Sequence, residues 1–204
     1  MEGFFQKITY YDLYGYTFPG CILVLSVLCR AVPSGLINSL REYHEGYLYI
    51  FIVLLVLSFI VGIMVSEIGY MLWERGLAFV RPSYLKKAEV PYEAINSALN
   101  KSLKPGKTIT VKNVEDLINY MPYMYSVIQV DQTYGRIHNY ASTAIMCRNL
   151  ALVSVGSGLI LYRDNIISIV IGGIVAVIFA YRSYRFNVKK EFYTIYWFIN
   201  KYEN

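Results

Sequence analysis

Long uncharged apolar stretches alternate with polar segments along the chain, and four of these stretches set the pattern. They comprise residues 13–29, 47–66, 144–162 and 165–181. Each is about 17 to 20 residues long, which is the length at which a helix crosses roughly 30 Å of hydrocarbon. A single charge, that of Arg148, interrupts them. The pattern therefore predicts an all-α membrane protein with four transmembrane helices.

The polar segments between and after these stretches indicate the parts of the chain that lie outside the four spans. Residues 67–143 separate the second and third spans and predict a small, mostly helical cytoplasmic segment. The tail mixes basic and aromatic side chains, which is typical of an amphipathic helix at a membrane interface. The predicted domains are an N-terminal interfacial segment with a first transmembrane hairpin, the cytoplasmic segment, a second transmembrane hairpin and the tail, at residues 1–66, 67–143, 144–181 and 182–204.

Prolines and a capping residue divide the middle segment. We expect the second helix to continue past the bilayer and end near Pro82. Pro91 suits the first turn of a following helix, and Asn113 can cap the next one. We expect Pro122 to interrupt that helix, because proline lacks the N–H that an interior turn needs. From there the apolar spacing predicts one long helix running into the third span, and residues 108–111 could form a short strand.

Basic residues are distributed unevenly across this layout. Sixteen of the 19 lysines and arginines lie on the side that holds both termini and the middle segment. Cytoplasmic loops carry the excess of Lys and Arg in membrane proteins, so both termini are predicted to be cytoplasmic in a bacterial inner membrane. The 21 tyrosines include clusters that flank the spans, where an amphipathic ring suits the membrane–water boundary.

Small residues recur every four positions in three of the spans. Helices in lipid associate where small side chains let their backbones approach closely. Two interpretations follow, packing within one bundle or contacts between the subunits of a homo-oligomer. The candidate helix-packing residues are Ser58, Gly62, Ser66, Ser154, Gly158, Gly172, Ala176 and Ala180.

Four lysines cluster in the middle segment, at Lys101, Lys104, Lys107 and Lys112. They indicate a solvated face, a contact with anionic lipid, or a site for a phosphate-bearing ligand such as a nucleotide or RNA. The sequence Gly106-Lys107-Thr108 resembles the end of a phosphate-binding loop, but that motif needs a glycine five positions before its Gly-Lys pair. A nucleotide-hydrolysing site is therefore not predicted.

Catalytic and metal-ligating sets are missing from the sequence. The two histidines and three cysteines have no metal-site spacing, and no Ser/His/Asp set is evident. We therefore predict a protein that is not an enzyme and that has no cofactor or metal. Arg148 lies one turn into its span, where it is expected to snorkel to the interface or to pair with Glu67 or Glu74.

Both chain ends carry a resemblance to a known group. The sequences YDLYGYTFPGCILVL, at residues 11–25, and AYRSYRFNVKKEFYTIYWF, at residues 180–198, resemble small multi-pass membrane proteins of bacterial defence loci, such as the type VI-B CRISPR accessory membrane proteins. One branch of that group has an Arg/His ribonuclease signature, which this chain lacks.

The resemblance implies a non-enzymatic accessory or effector in antiviral defence. Such a protein would perturb or permeabilise the membrane, or modulate a cytoplasmic effector protein. The residues alone leave an alternative open, a structural scaffold or a subunit of a membrane transport complex. In either case the lipid bilayer is the first predicted partner.

Overall fold

The chain folds almost entirely into helices. The computed structural model describes residues 13–31, 47–87, 90–103, 109–129, 134–162 and 166–203. Of these residues 93% are helical and none forms a strand, which confirms the all-α prediction. A π-helical turn, Leu13–Thr17, leads into helices α1 (Phe18–Ala31), α2 (Tyr47–Lys87), α3 (Tyr92–Ser102), α4 (Val114–Gln129), α5 (Tyr134–Ile160) and α6 (Ile167–Glu203).

Three of the helices are long and apolar enough to cross a membrane, judged by length and composition. They correspond to Leu48–Trp73 within α2, Gly135–Ile160 within α5 and Ile167–Glu203, which is α6. The first predicted span falls in a shorter apolar helix, Gly15–Ala31. The structure is thus compatible with a membrane protein that has three long apolar helices and a shorter fourth.

The residues divide into two compact units. Unit 1 comprises Met1–Trp73 and Ser142–Tyr184, and unit 2 comprises Glu74–Ala141 and Arg185–Asn204. The tail after residue 184 therefore belongs with the middle segment, although the sequence predicts it as a separate part. Its helix is also continuous with the fourth apolar stretch, because α6 extends without a break to residue 203.

Unit 1 exposes its apolar side chains. Among the described residues, every exposed large hydrophobic side chain except that of Tyr196 lies in this unit, and Leu48 and Val177 are more than two-thirds exposed. Its central element is α5, whose apolar segment is 44% buried, against 17% for α2 and 11% for α6. The outer helices thus turn most of their apolar surface away from the protein.

Helices α5 and α6 are antiparallel neighbours in unit 1, as the predicted hairpin requires. A Cβ atom added to Gly158 would lie 2.9 Å from the carbonyl oxygen of Ser168. At the other end of the pair, the Ser183 hydroxyl donates to the carbonyl oxygen of Ala144 at 2.7 Å. Residue 158 of α5 lies beside residue 168 of α6, and residue 144 lies beside residue 183. The two helices therefore run in opposite directions.

Unit 2 has an ordinary apolar core. Seven of its described residues have no solvent exposure, namely Ile95, Ala98, Leu99, Leu117, Met124, Ile137 and Phe198. They come from α3, α4, α5 and α6, so the tail contributes directly to this core. Amphipathic helices of soluble proteins bury one apolar stripe in the same way.

Local hydrogen bonds hold the residues that directly precede α4. The side chain of Asn96 accepts from the Val111 backbone N–H at 2.7 Å and donates to the Val111 carbonyl at 3.1 Å. Asn113 accepts from the backbone N–H of Asp116 at 2.8 Å, which confirms its predicted role as a helix cap. These bonds hold residues 109–112 in place without a sheet.

Several boundary predictions are wrong. Helix α2 continues through Pro82 to residue 87, and α4 continues through Pro122 to residue 129. The single helix predicted after Pro122 corresponds to two described helices, α4, which ends at residue 129, and α5, which begins at residue 134, and residues 130–133 lie outside the described residues. Residues 109–111 form no strand, and Thr108 lies outside the described residues. The start of α3 beside Pro91 agrees with the prediction.

Candidate functional site

Polar side chains occupy the interior of unit 1. Among the described residues of this unit, the buried polar or charged side chains are those of Ser26, Ser58, Ser66, Arg148, Asn149, Ser157 and Ser183. The surrounding helices expose apolar side chains, so these polar groups are enclosed by an apolar shell. Ionisable residues inside membrane-spanning bundles are costly and generally mark a function.

Arg148 on α5 is the charged member of this set. It is only 8% exposed, and its Nη2 atom donates to the carbonyl oxygen of Ser66 at 3.2 Å and to the Ser66 hydroxyl at 3.0 Å. Its guanidinium carbon lies 5.9 Å from the ring centroid of Tyr70, within cation–π range. The snorkelling prediction is therefore wrong, because the side chain is directed toward α2 inside the unit.

Asn149, the next residue, connects α5 to the start of the chain's first helical segment. It is fully buried, and its Nδ2 atom donates to the carbonyl oxygen of Gly15 at 2.8 Å. Gly15 belongs to the π-helical turn, a rare geometry that frequently occurs at functional sites. The Asn149 side-chain oxygen also accepts from the Nε atom of Arg148 at 3.4 Å, so the two side chains support each other.

A glycine on α2 makes room for these two side chains. A Cβ atom at Gly69 would lie 3.1 Å from the Arg148 Nε atom and 3.3 Å from the Asn149 side-chain oxygen. We call Gly15, Ser66, Gly69, Arg148 and Asn149 the polar junction. It connects three elements of unit 1, the π-helical turn, α2 and α5, through hydrogen bonds and close approach.

Small residues of the second predicted span pack against the π-helical turn and α1. A Cβ atom at Gly20 of α1 would overlap the carbonyl oxygen of Ser58, and one at Gly62 would overlap the carbonyl oxygen of Tyr16. The Tyr16 ring also packs edge-on against Phe59, with ring centroids 6.5 Å apart. Ser58 and Gly62 thus lie where α2 and the first helical segment approach most closely.

Small residues of the third and fourth spans meet each other. A Cβ atom at Gly172 would lie 2.6 Å from the carbonyl oxygen of Ser154 and 3.2 Å from the Cα atom of Gly158. Ala176 is buried, and Ala180 is half-buried. The structure therefore brings Gly158 and Gly172 together within one chain, while contacts with a second subunit stay a prediction.

The four candidate lysines have different surroundings. Lys101 donates from its Nζ atom to the carbonyl oxygen of Tyr202 at 2.9 Å, in the last turn of α6, where a cation complements the helix dipole. Lys112 is exposed, and its backbone N–H donates to Asp116 at 3.0 Å. Lys104 and Lys107 lie outside the described residues. The two described lysines thus have different partners.

Sequence reasoning missed most of the polar junction. It identified Ser66 as a packing residue and Arg148 as a boundary charge, but it did not include Asn149, Gly15 or Gly69. The available signal was the adjacent pair Arg148-Asn149 inside an otherwise uncharged stretch. Two neighbouring residues that bury strong hydrogen-bonding groups require partners, and such partners must come from other helices.

Within the described residues, no group of three or more His, Cys, Asp or Glu side chains could hold a metal ion. Comparison of the chain with family models, with curated proteins and with solved structures gives no match. A functional proposal therefore depends on the geometry of the two units and on the resemblance at the chain ends.

Proposed function

We propose that this chain is a multi-pass protein of the bacterial inner membrane that crosses the bilayer four times through unit 1. The observation that carries the proposal is the surface of that unit, which exposes large apolar side chains while polar and charged side chains are buried inside. Exposed apolar surface of this extent is unfavourable in water but favourable in lipid. Residues 13–31 span about 28 Å as a helix, enough for the fourth crossing. Unit 2 and both termini are cytoplasmic in this proposal.

Reporter fusions test the number of crossings. Fusions before residue 2, within residues 36–44 and after residue 204 are each assayed for a cytoplasmic or external position. Four crossings predict that both terminal fusions report the cytoplasm and the internal fusion reports the outside. A first helix that does not cross would instead place the N-terminal and internal fusions on the same side, which would reduce the protein to three spans.

For its activity, we propose a non-enzymatic accessory or effector role in antiviral defence, in which the protein alters membrane permeability or modulates a cytoplasmic effector protein. The resemblance at the chain ends supports the defence role. The polar junction supports an active rather than an anchoring role, because a bundle that only anchors unit 2 needs no buried guanidinium. Hydrogen-bonded contacts of this kind can be broken and remade as discrete states.

The polar junction gives a direct test of this activity. Arg148→Gln removes the charge. In cells that also carry the genes adjacent to the one for this protein, we expect loss of phage protection and of any membrane depolarisation. Arg148→Lys keeps the charge, and Arg75→Gln removes one from an exposed position, so both controls should retain more activity. Membrane insertion of each variant is checked by fractionation.

Two results would contradict the activity. Full function in the Arg148→Gln variant would reduce the polar junction to a packing contact. A wild type that neither protects nor changes permeability beside its neighbouring genes would remove the effector role, and the alternative of a scaffold or transport-complex subunit would then stand.

A further inference from the structure

Unit 2 carries a cluster of cations and aromatic rings on two neighbouring helices. The Nζ atom of Lys189 lies 5.7 Å from the ring centroids of both Tyr140 and Phe186. The guanidinium carbon of Arg136 lies 5.9 Å from the ring of Tyr193, whose centroid is 5.2 Å from that of Tyr140. We call these five residues the basic–aromatic cluster. It combines α5 and α6, so the tail sequence alone does not reveal it.

The cations of this cluster are concentrated at the surface. Arg136 and Lys189 are exposed, and exposed Arg185 precedes Lys189 by one helical turn on the same face of α6. In the part of the chain that the structure describes, Arg136 and Lys189 contact rings rather than carboxylates. Like charges at this spacing repel each other, so an anion from outside the chain would stabilise their arrangement.

The position of the cluster along its helices indicates which anion is available. Tyr140 and Arg185 each lie four residues from the nearest predicted apolar stretch, or about 6 Å along a helix. Arg136 and Lys189 lie eight residues away, or about 12 Å. The headgroup layer extends about 5–8 Å beyond the hydrocarbon on each side. Arg136 and Lys189 therefore lie within roughly 7 Å of that layer, which is less than the Debye length of about 8 Å over which a charged membrane surface attracts cations. The cations are therefore placed to meet lipid headgroups.

We propose that the basic–aromatic cluster binds the phosphate of an anionic lipid headgroup. This inference rests on the proposed membrane position of unit 1. The guanidinium and ammonium groups supply donors for phosphate oxygens, and the rings hold the long side chains toward the ligand. Tyrosine and tryptophan rings are enriched at the same depth of membrane proteins, where they anchor the helices.

Lipid binding by the full-length protein in a neutral detergent tests the proposal. The probe is fluorescently labelled short-chain phosphatidylglycerol, followed by anisotropy, with labelled phosphatidylcholine as the zwitterionic comparison. We expect tighter binding of phosphatidylglycerol. The double variant Arg136→Gln/Lys189→Gln should weaken it about fivefold for each cation, or roughly 30-fold for the pair.

Matched variants separate this site from general charge effects. Lys86→Gln/Lys112→Gln removes two exposed cations elsewhere in unit 2 and should change the affinity less than about twofold. Arg136→Lys/Lys189→Arg keeps both charges and should retain most of the binding. Unlabelled glycerol 3-phosphate is added as a competitor, and it should displace the lipid poorly because it lacks the acyl chains.

Three outcomes would overturn the proposal. Equal binding of phosphatidylcholine would remove the role of charge, and equal loss in the Lys86/Lys112 variant would remove the role of this cluster. Competition by glycerol 3-phosphate at the lipid's own concentration would indicate a soluble phosphate ligand. Alkaline washing of membranes is the separate check of the proposed function, because a protein released by the wash is not integral, whatever its lipid preference.

Discussion

The two units of this chain differ in the apolar side chains that they expose and in the polar side chains that they bury. Unit 1 encloses Arg148, Asn149 and several serines and exposes its aliphatic residues, whereas unit 2 encloses aliphatic and aromatic residues such as Leu117 and Phe198. Burial of apolar surface stabilises a fold only if the alternative is water. In lipid that driving force is lost, and close packing and interhelical hydrogen bonds replace it. The difference is the one expected if lipid surrounds unit 1 and water surrounds unit 2.

The same helix can serve both units. Helix α6 contributes exposed Val177 to unit 1 and fully buried Phe198 to unit 2, with no break between them. A continuous helix is therefore a poor guide to where a domain ends. The burial of its side chains is the better guide, because Val177, before the unit boundary at residues 184 and 185, is exposed, whereas Phe198, near the end of the helix, is buried.

The largest expected effect tests the role of apolar burial. Phe198→Ala removes a fully buried ring from unit 2 and should destabilise that unit by about 3–5 kcal/mol. Phe51→Ala removes a ring that is 62% exposed in unit 1 and should cost less than about 1 kcal/mol in detergent. Hydrogen exchange of the α3 and α4 amides measures the first change, and that of the α5 amides the second. Similar losses at the two positions would break the comparison between the units.

The next effect tests backbone packing in unit 1. Gly172→Leu forces a side chain into the carbonyl oxygen of Ser154, 2.6 Å from the new Cβ atom, and should destabilise unit 1 by about 3 kcal/mol. The adjacent Gly173 has open space at its Cβ position, so Gly173→Leu is the matched control and should be nearly neutral. Thermal unfolding in detergent, read from α5, gives both values. If Gly173→Leu destabilised unit 1 more than Gly172→Leu, the close contact with α5 would lie on the face of α6 that carries Gly173, which would contradict the structure.

The smallest effect tests the polar contacts of unit 2. Asn96→Ala leaves the N–H and carbonyl groups of buried Val111 without their partner, which should cost about 1–2 kcal/mol. Ser97→Ala, at an exposed neighbouring position, should change stability by less than about 0.5 kcal/mol. Denaturant titration with an optical probe in unit 2 measures the pair. An unchanged midpoint for Asn96→Ala would mean that water replaces both bonds at no cost.

Local signals in the sequence predicted much of the fold. The long apolar stretches fall largely within helices. Asn113 and Pro91 mark helix starts because a capping hydrogen bond and the fixed φ of proline each act within a few residues. The predictions failed where tertiary packing opposed local preference. Pro122 does not end α4, because Met121 and Met124 on either side of it are buried in the core and hold the helix together.

The candidate site was less predictable, because its partners are far apart in sequence. Arg148 was visible as a charge in an apolar stretch, but its partner Ser66 lies on another helix. The tail was expected at the membrane interface, since its composition is basic and aromatic. Its buried positions Thr194, Ile195 and Phe198 follow the helical period, which is also the signal of a core helix. Composition alone does not distinguish these two environments.

The bond between Asn149 and Gly15 has a consequence for the order of biogenesis. The two residues are 134 positions apart in the chain. At a synthesis rate of about 5–20 residues per second, Asn149 emerges roughly 7 to 27 s after Gly15. During that interval the carbonyl of Gly15 has no Asn149 to accept from, even if the first two helices have already left the translocation machinery. The N-terminal hairpin therefore reaches its final form only when α5 arrives, and the late half of the nascent chain completes the early half.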